Sequence, residues 1–135
     1  MRPLEGSPGN AFKTVLIIDD DLRFVKLVRD TLREEGYTVY CGFDGHMAVD
    51  LAQAHHPDLI LMDVNMPMMN GLQAFQRLRT DAETSRIPII LISEVVSQIV
   101  YPLLASAPRA AHLKKPLDLV DLTSLTREFI QLYAA

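Results

Sequence analysis

The sequence predicts an α/β protein in which one doubly wound, parallel sheet of five strands is covered by five helices. Short apolar runs alternate with longer amphipathic stretches, which is the pattern of repeated strand and helix units. Three of the runs, VLII, LILM and IILI, have no polar alternation, and strands of that kind are buried on both faces of a sheet. Because crossovers between parallel strands are right-handed, a doubly wound sheet follows.

The predicted elements follow one another at short intervals. The strand TVLIID precedes a helical pattern over residues 21–35, where Asp21 is placed to cap the helix and Gly36 to end it. The strand YTVYC, the helix GHMAVDLAQA and the strand LILMD come next, followed by a helix over residues 71–80 and the strand IPIILIS. The last strand, AAHLK, leads to a helix over residues 118–133.

The fourth predicted helix, within residues 95–106, is the least regular element. Most of its residues are apolar, and Pro102 lies inside it, where a missing backbone donor breaks or kinks a helix. We therefore expect a short or bent helix. Its apolar residues cannot all face the core, so we expect some of them to form a contact patch.

Composition limits the kinds of partner that this chain can have. With 135 residues, 49% of them hydrophobic, the chain can form one domain, which we expect over residues 13–135 after a flexible tail at residues 1–12. The net charge of −4 argues against direct binding to nucleic acid or to an anionic membrane. The lone Cys41, without a signal-peptide pattern or an apolar run of membrane length, predicts a cytoplasmic protein.

Carboxylates follow two strands that are neighbours in the predicted sheet. Asp19, Asp20 and Asp21 end the first strand, and Asp63 ends the third. Ligands of doubly wound sheets bind beyond the carboxyl ends of the strands, so these side chains are expected to converge. Several like charges at one place favour a bound cation, and oxygen ligands suit Mg²⁺. Alternatively, Asp20 and Asp21 only cap the first helix and Asp63 only begins a turn.

Two further strand ends add a hydroxyl and an amine to this edge of the sheet. Ser93 ends the fourth strand and could donate to a phosphoryl oxygen, while Lys115 ends the fifth and could neutralise phosphoryl charge. Pro116 restricts the backbone of Lys115 and so helps to fix where its side chain projects. Taken singly, Ser93 is better explained as a helix cap and Lys115 as a solvated surface charge, and only their combination favours a site.

The chain resembles the receiver domains of two-component response regulators over roughly residues 13–133. The matching segments are VLIIDDD, LILMDVNMPMMNG, IILIS and KKP, and the 30 residues from Asp63 to Ser93 and the 22 from Ser93 to Lys115 are similar to the spacing of that family. The resemblance implies a flavodoxin-like fold with strand order 2-1-3-4-5.

The resemblance also implies a role for each strand-end residue. Asp63 would accept a phosphoryl group and would bind Mg²⁺ together with Asp20, with the backbone carbonyl of Asn65 and, through water, with Asp19. Ser93 would be the switch hydroxyl. The amine of Lys115 would pair with the phosphoryl group or, before phosphorylation, with Asp63.

Two positions depart from the pattern of the family. Glu94 stands where a small residue is usual, and its carboxylate either crowds the mouth of the site and repels a phosphodonor or points to solvent and caps the next helix. His112 stands where many members have a switching aromatic residue; it either swings between two rotamers or is a partly exposed strand histidine.

The implied partners are a histidine kinase or a histidine phosphotransfer protein as donor, and a downstream protein or a second copy. The last two would bind the surface formed by the fourth helix, the fifth strand and the fifth helix. Such a domain is a phosphoacceptor and not an enzyme. Little chain follows the last helix, so we expect either a stand-alone regulator or a fragment of a longer one.

Two other functions compete with this interpretation. A degenerate receiver would dock partners without being phosphorylated. Glu94 and the irregular fourth helix favour this function, whereas the retained residues oppose it: Asp20, Asp63, Ser93 and Lys115. A hydrolase that forms an aspartyl-phosphate would need a second acid two residues after Asp63, where Asn65 stands instead. The hydrolase is the weaker of the two alternatives.

Overall fold

In the computed structural model, which describes residues 13–94 and 107–134, five parallel strands form one sheet. The order across the sheet is β2-β1-β3-β4-β5, which confirms the predicted order and the doubly wound arrangement. The strands are β1 (Thr14–Ile18), β2 (Thr38–Gly42), β3 (Leu59–Asp63), β4 (Ile89–Ser93) and β5 (Ala110–Lys114).

Four helices are found in the described part of the chain, where the sequence predicts five for the whole protein. They are α1 (Leu22–Glu34), α2 (Gly45–His55), α3 (Gly71–Thr80) and α4 (Leu119–Tyr133). The fourth predicted helix lies within residues 95–106, outside the described residues, so the helix predicted as the fifth is α4. The predicted tail at residues 1–12 also lies outside them. No helix among the described residues is long and apolar enough to cross a membrane.

The helix ends have the chemistry that the sequence indicates. The side chain of Asp21 accepts hydrogen bonds from the backbone N–H groups of Arg23 and Phe24 and so caps α1. Gly36, at φ 100°, adopts the left-handed conformation that commonly follows a helix. These caps fix the ends of α1 and thus the direction in which the chain enters and leaves it.

The apolar side chains form one core layer on each face of the sheet. Leu16 and Ile60 point to the layer that contacts α2 and α3, whereas Ile17 and Leu61 point to the layer that contacts α1 and α4. All five residues of β3 and of β4 are buried. Since each fully buried aliphatic side chain contributes about 1.5–3 kcal/mol, these strands form a rigid base for the residues at their ends.

The carboxyl ends of the strands meet along one edge, as the predicted topology requires. Asp63 is the last residue of β3 and Ser93 the last of β4, while Asp19 directly follows β1. The fifth strand covers the predicted run AAHLK and ends at Lys114, which pairs with Ser93, so the prediction that Lys115 ends this strand is wrong. Lys115 therefore belongs to the loop, although its backbone N–H still donates to the carbonyl of Ser93 at 2.8 Å.

Candidate functional site

Three carboxylates converge at the carboxyl edge of the sheet. Asp19, Asp20 and Asp63 each place a carboxylate oxygen within 4.8 Å of the others. Asp19 is 1% exposed and Asp63 is 6% exposed, whereas Asp20 is open to solvent. The prediction that these side chains converge is confirmed, and the alternative that Asp20 only caps α1 does not explain this arrangement, because Asp21 provides the cap.

Asp63 lies in an environment that opposes its negative charge. Burial and the neighbouring carboxylate of Asp19 raise the pKa of Asp63 to about 6, although the ammonium of Lys115 and a hydrogen bond from the backbone N–H of Asn65 partly offset this. That hydrogen bond is 3.3 Å long. The carboxylate is therefore mostly ionised near neutral pH and more basic than an ordinary aspartate, which suits a nucleophile.

Lys115 neutralises part of this charge, with a different nearest partner from the one expected. Its Nζ donates to Asp19 Oδ2 at 2.8 Å and lies 3.9 Å from Asp63 Oδ2, so the ion pair implied with Asp63 is the longer of two. Burial lowers the pKa of Lys115, but its hydrogen bond and ion pair with Asp19 outweigh this effect and leave the pKa raised. The ammonium therefore remains charged and lies between both carboxylates.

Ser93 and His112 contact each other across β4 and β5. Ser93 is fully buried, and its Oγ lies 2.9 Å from His112 Nε2. Burial lowers the pKa of His112, which favours the neutral ring at neutral pH. The half-buried position of His112 agrees with a strand histidine. The sequence named both residues, but the hydrogen bond between them could not be foreseen from it.

The acidic residues line a cavity of about 250 Å³ whose mouth carries Glu94. Glu94 is exposed and also lines this cavity. Its carboxylate can therefore face solvent and still lie at the mouth of the site, so these two expectations do not exclude each other. The helix that it would cap lies outside the described residues. Among the described residues, the lining consists of Asp19, Asp20, Asp21, Asp63, Asn65, Glu94 and Lys115.

Two residues that sequence reasoning missed hold this site in shape. A Cβ added to Gly71 would lie 2.1 Å from the carbonyl oxygen of Asp63, so only glycine lets α3 begin this close to the end of β3. The ring of Phe24 lies 4.5 Å from Lys115 Nζ. The sequence predicts a helix that begins at residue 71 but does not show how close Gly71 lies to Asp63. Phe24 only fits the apolar periodicity of the first helix.

The donor set fits a small divalent cation. Five carboxylates and a single ammonium line this cavity, and Asp19 and Asp63 are almost completely buried, so negative charge is in excess. The carboxylates provide the hard oxygen ligands that Mg²⁺ prefers. Because Asp20 is exposed to solvent, the site also has room for the water ligands that Mg²⁺ usually keeps.

The fold is shared by solved structures of chemotaxis and sensor-kinase proteins. The chemotaxis protein CheY4 of Vibrio cholerae is 28% identical with a TM-score of 0.81, covering 88% of this chain and 99% of that one. The receiver domain of the sensor histidine kinase PA1611 from Pseudomonas aeruginosa, with a magnesium ion coordinated in its active site cleft, is 28% identical with a TM-score of 0.79, covering 90% and 99%.

The fold and the acidic edge thus define a receiver domain of two-component signalling. The model of the response regulator receiver domain family matches residues 15–127, and the chain belongs to this family. A curated relative is the polar-differentiation response regulator DivK of Brucella ovis, 41% identical over 81 residues, which are 60% of this chain and 66% of that protein. The chain therefore spans just under two thirds of this relative in the alignment.

Proposed function

We propose that this receiver domain accepts a phosphoryl group on Asp63 from a phosphohistidine of a partner protein. One observation carries the proposal: the carboxylate of Asp63 is almost buried beside two further carboxylates and 3.9 Å from the ammonium of Lys115. Such a cluster is costly to the fold, which is typical of a functional site. A docking module that is not phosphorylated would not require this cluster of buried carboxylates.

The chemistry follows from the position of Asp63. One carboxylate oxygen attacks phosphorus, and the new P–O bond forms as the P–N bond to the donor imidazole breaks. The imidazole nitrogen keeps the electron pair of that bond and takes up a proton. The domain is therefore a reactant that is consumed and later regenerated by hydrolysis of the acyl phosphate.

The cation site is assigned to the same carboxylates. Asp20 and Asp63 would bind Mg²⁺ directly, with the backbone carbonyl of Asn65, while Asp19 would bind through water. The bound ion supplies positive charge beside the transferring phosphoryl oxygens. The protein contributes the fixed position of Asp63 and the ammonium of Lys115, which can follow the new negative charge because it already lies between Asp19 and Asp63.

The response to phosphorylation is assigned to Ser93 and His112. A phosphoryl group on Asp63 brings a dianion to the edge of the sheet, and the Ser93 hydroxyl, whose Oγ now lies 2.9 Å from His112 Nε2, would turn to donate to it. His112 is then free to change its rotamer on β5. The surface of β5 and α4, with the fourth predicted helix, would thereby bind a downstream protein or a second copy.

A second cavity beside the site offers a surface for the donor protein. It measures about 470 Å³ and shares Asp21, Glu94 and Lys115 with the acidic cavity. Its other lining is mainly apolar and comes from the first turns of α1, the loop after β5 and the start of α4: Phe24, Leu27, Pro116, Leu117 and Leu119. We assign this surface to a helix of a histidine kinase or phosphotransfer protein in the cytoplasm, where its phosphohistidine would face Asp63.

Glu94 is assigned as a modulator of this reaction. Its carboxylate stands at the mouth of the acidic cavity, where it repels small anionic donors through the Coulomb interaction. A protein donor that covers the mouth can present its own hydrogen-bond donors to Glu94 and so offset the repulsion. Glu94 therefore favours protein donors over small anions.

Phosphorylation is tested by incubating the protein with phosphoramidate and Mg²⁺ and reading the intact mass. We expect the wild type to gain one phosphoryl group and Asp63→Asn to gain none, since an amide cannot form the acyl phosphate. Glu94→Gln is expected to react faster than wild type with this anionic donor. A folded wild type that gains nothing, or an Asp63→Asn variant that is phosphorylated as fast, contradicts the proposal.

A further inference from the structure

We propose that Phe24 is a positioning residue that holds the ammonium of Lys115 in place for phosphoryl transfer to Asp63. The inference rests on the proposed function and assigns a part of the site to α1, which supplies none of its charged ligands. Phe24 lies in the first turn of α1, five residues after Asp19.

Three groups surround the ammonium of Lys115 on the described part of the chain. Asp19 Oδ2 is 2.8 Å from Nζ, Asp63 Oδ2 is 3.9 Å from it, and the centroid of the Phe24 ring is 4.5 Å from it. The two carboxylates lie on the cavity side, whereas the ring belongs to α1. The side chain of Lys115 is only 16% exposed as a result.

An aromatic ring does more here than an aliphatic side chain of similar size. The face of the ring carries negative electrostatic potential and attracts an ammonium group, which an aliphatic side chain does not. Phe24 is half-buried and packs against the core layer of α1 and α4, so its ring is held in place. The ring therefore gives the ammonium a fixed partner that remains when the carboxylates change their charge.

This matters because Lys115 must change partners during the reaction. Before transfer its ammonium is hydrogen-bonded to Asp19, and after transfer the new charge lies on the phosphoryl group at Asp63. A lysine side chain has four flexible methylene groups, so an unrestrained ammonium would lose rotamer freedom when it binds the phosphoryl group. The ring of Phe24 restricts the ammonium to the cavity before the donor arrives.

The test compares Phe24→Leu with Phe24→Tyr, using phosphoramidate so that no protein surface is involved. We expect the maximal rate of phosphorylation to fall about two- to fivefold in Phe24→Leu, with the donor concentration at half-maximal rate unchanged. Phe24→Tyr, which keeps the ring face, is expected to react like wild type. Phe43→Leu is the matched control, because it makes the same substitution at an exposed aromatic residue that lines neither the acidic cavity nor the apolar one.

A second measurement tests the contact without any phosphorylation. In wild type and in Phe24→Tyr, the ε-methylene protons of Lys115 should be shifted upfield by the ring current, and this shift should disappear in Phe24→Leu. If the wild type is phosphorylated and Phe24→Leu reacts at the same rate, or if the ring-current shift of Lys115 is unchanged in Phe24→Leu, this inference alone is overturned. A wild type that takes no phosphoryl group overturns the proposed function and the inference together.

Discussion

At the level of single residues, the site is an unfavourable arrangement that the fold tolerates. Asp63 has a pKa of about 6, raised first by burial and then by the charge of Asp19. The folded protein thus binds a proton at Asp63 more tightly than the unfolded chain does. The free energy of unfolding therefore falls as the pH rises from about 4 to about 6, where Asp63 becomes ionised in the folded state.

Removing this charge should stabilise the protein. In EDTA at pH 7, we expect Asp63→Asn to raise the free energy of unfolding by about 1–2 kcal/mol, less than the full shift implies because solvent screens part of the charge. The gain should vanish below about pH 4, where the wild-type carboxyl is neutral in both states. Urea unfolding at both pH values measures it, with Asp50→Asn, on the exposed face of α2, as control. A loss of stability at pH 7 would contradict this account.

The contact between Ser93 and His112 gives a second prediction at this scale. His112→Phe removes the hydrogen-bond partner that lies 2.9 Å from Ser93 Oγ, so that this contact no longer competes with the phosphoryl group for the hydroxyl. We expect beryllium trifluoride, a phosphoryl mimic, to bind about two- to tenfold more tightly to this variant in the presence of Mg²⁺. Fluorine NMR measures the affinity. His112→Gln, which keeps a polar partner, should behave like wild type, and weaker binding by His112→Phe would sink the idea.

At the level of elements, the beginning of α3 is fitted against the end of β3. The side chain of Asn70 accepts from the backbone N–H of Gln73, and the side chain of Gln73 accepts from the backbone N–H of Asn70, which forms a capping box. The backbone N–H of Gly71 donates to the carbonyl of Val64 at 2.9 Å. The start of α3 and Asp63, the proposed phosphoacceptor, are therefore joined by one rigid turn.

Gly71→Ala should damage both stability and reactivity. Its Cβ would lie 2.1 Å from the carbonyl oxygen of Asp63 and 2.8 Å from the Cα of Val64, so backbone must move. We expect a loss of about 1–3 kcal/mol in unfolding free energy, and slower phosphorylation because the carboxylate moves with the end of β3. Thermal unfolding and intact-mass kinetics test this. Gln76→Ala, on the exposed face of α3, is the control and should change neither.

At the level of the whole molecule, the sheet brings together charges that lie far apart in sequence. Asp19 and Lys115 are separated by 96 positions and form the shortest ion pair of the site, at 2.8 Å. The carboxylates of Asp19 and Asp63 are close together only in the folded state, because no contact in the unfolded chain holds these distant residues together. A cation that binds the cluster therefore stabilises the fold.

Mg²⁺ should accordingly raise the free energy of unfolding of the wild type. At ten times its dissociation constant we expect a gain of about 1.4 kcal/mol, measured by thermal unfolding with increasing MgCl₂. Asp20→Asn should lose most of this gain, because Asp20 is assigned as a direct ligand and is exposed, so that its substitution leaves the core unchanged. An equal gain in both proteins, or none in the wild type, contradicts the assigned metal site.

The sequence by itself determined the parallel sheet and the residues at the ends of its strands, and the resemblance to a known family supplied the order of the strands. Uninterrupted apolar runs specify buried strands, and the cap residues Asp21 and Gly36 specify where α1 begins and ends, because these signals act locally. With parallel strands, the residues at the carboxyl ends must then meet. For that reason the sequence predicts that the carboxylates of Asp19 and Asp63 lie close together, as they do in the structure.

Only the tertiary structure decided which side chains touch within that edge. It paired Lys115 more closely with Asp19 than with Asp63, placed Ser93 Oγ within hydrogen-bond distance of His112 Nε2, and placed the ring of Phe24 against the ammonium. These choices depend on rotamers and on separations of a few tenths of an ångström between distant parts of the chain. A sequence pattern specifies the face on which a residue lies, but packing alone fixes the direction of its side chain.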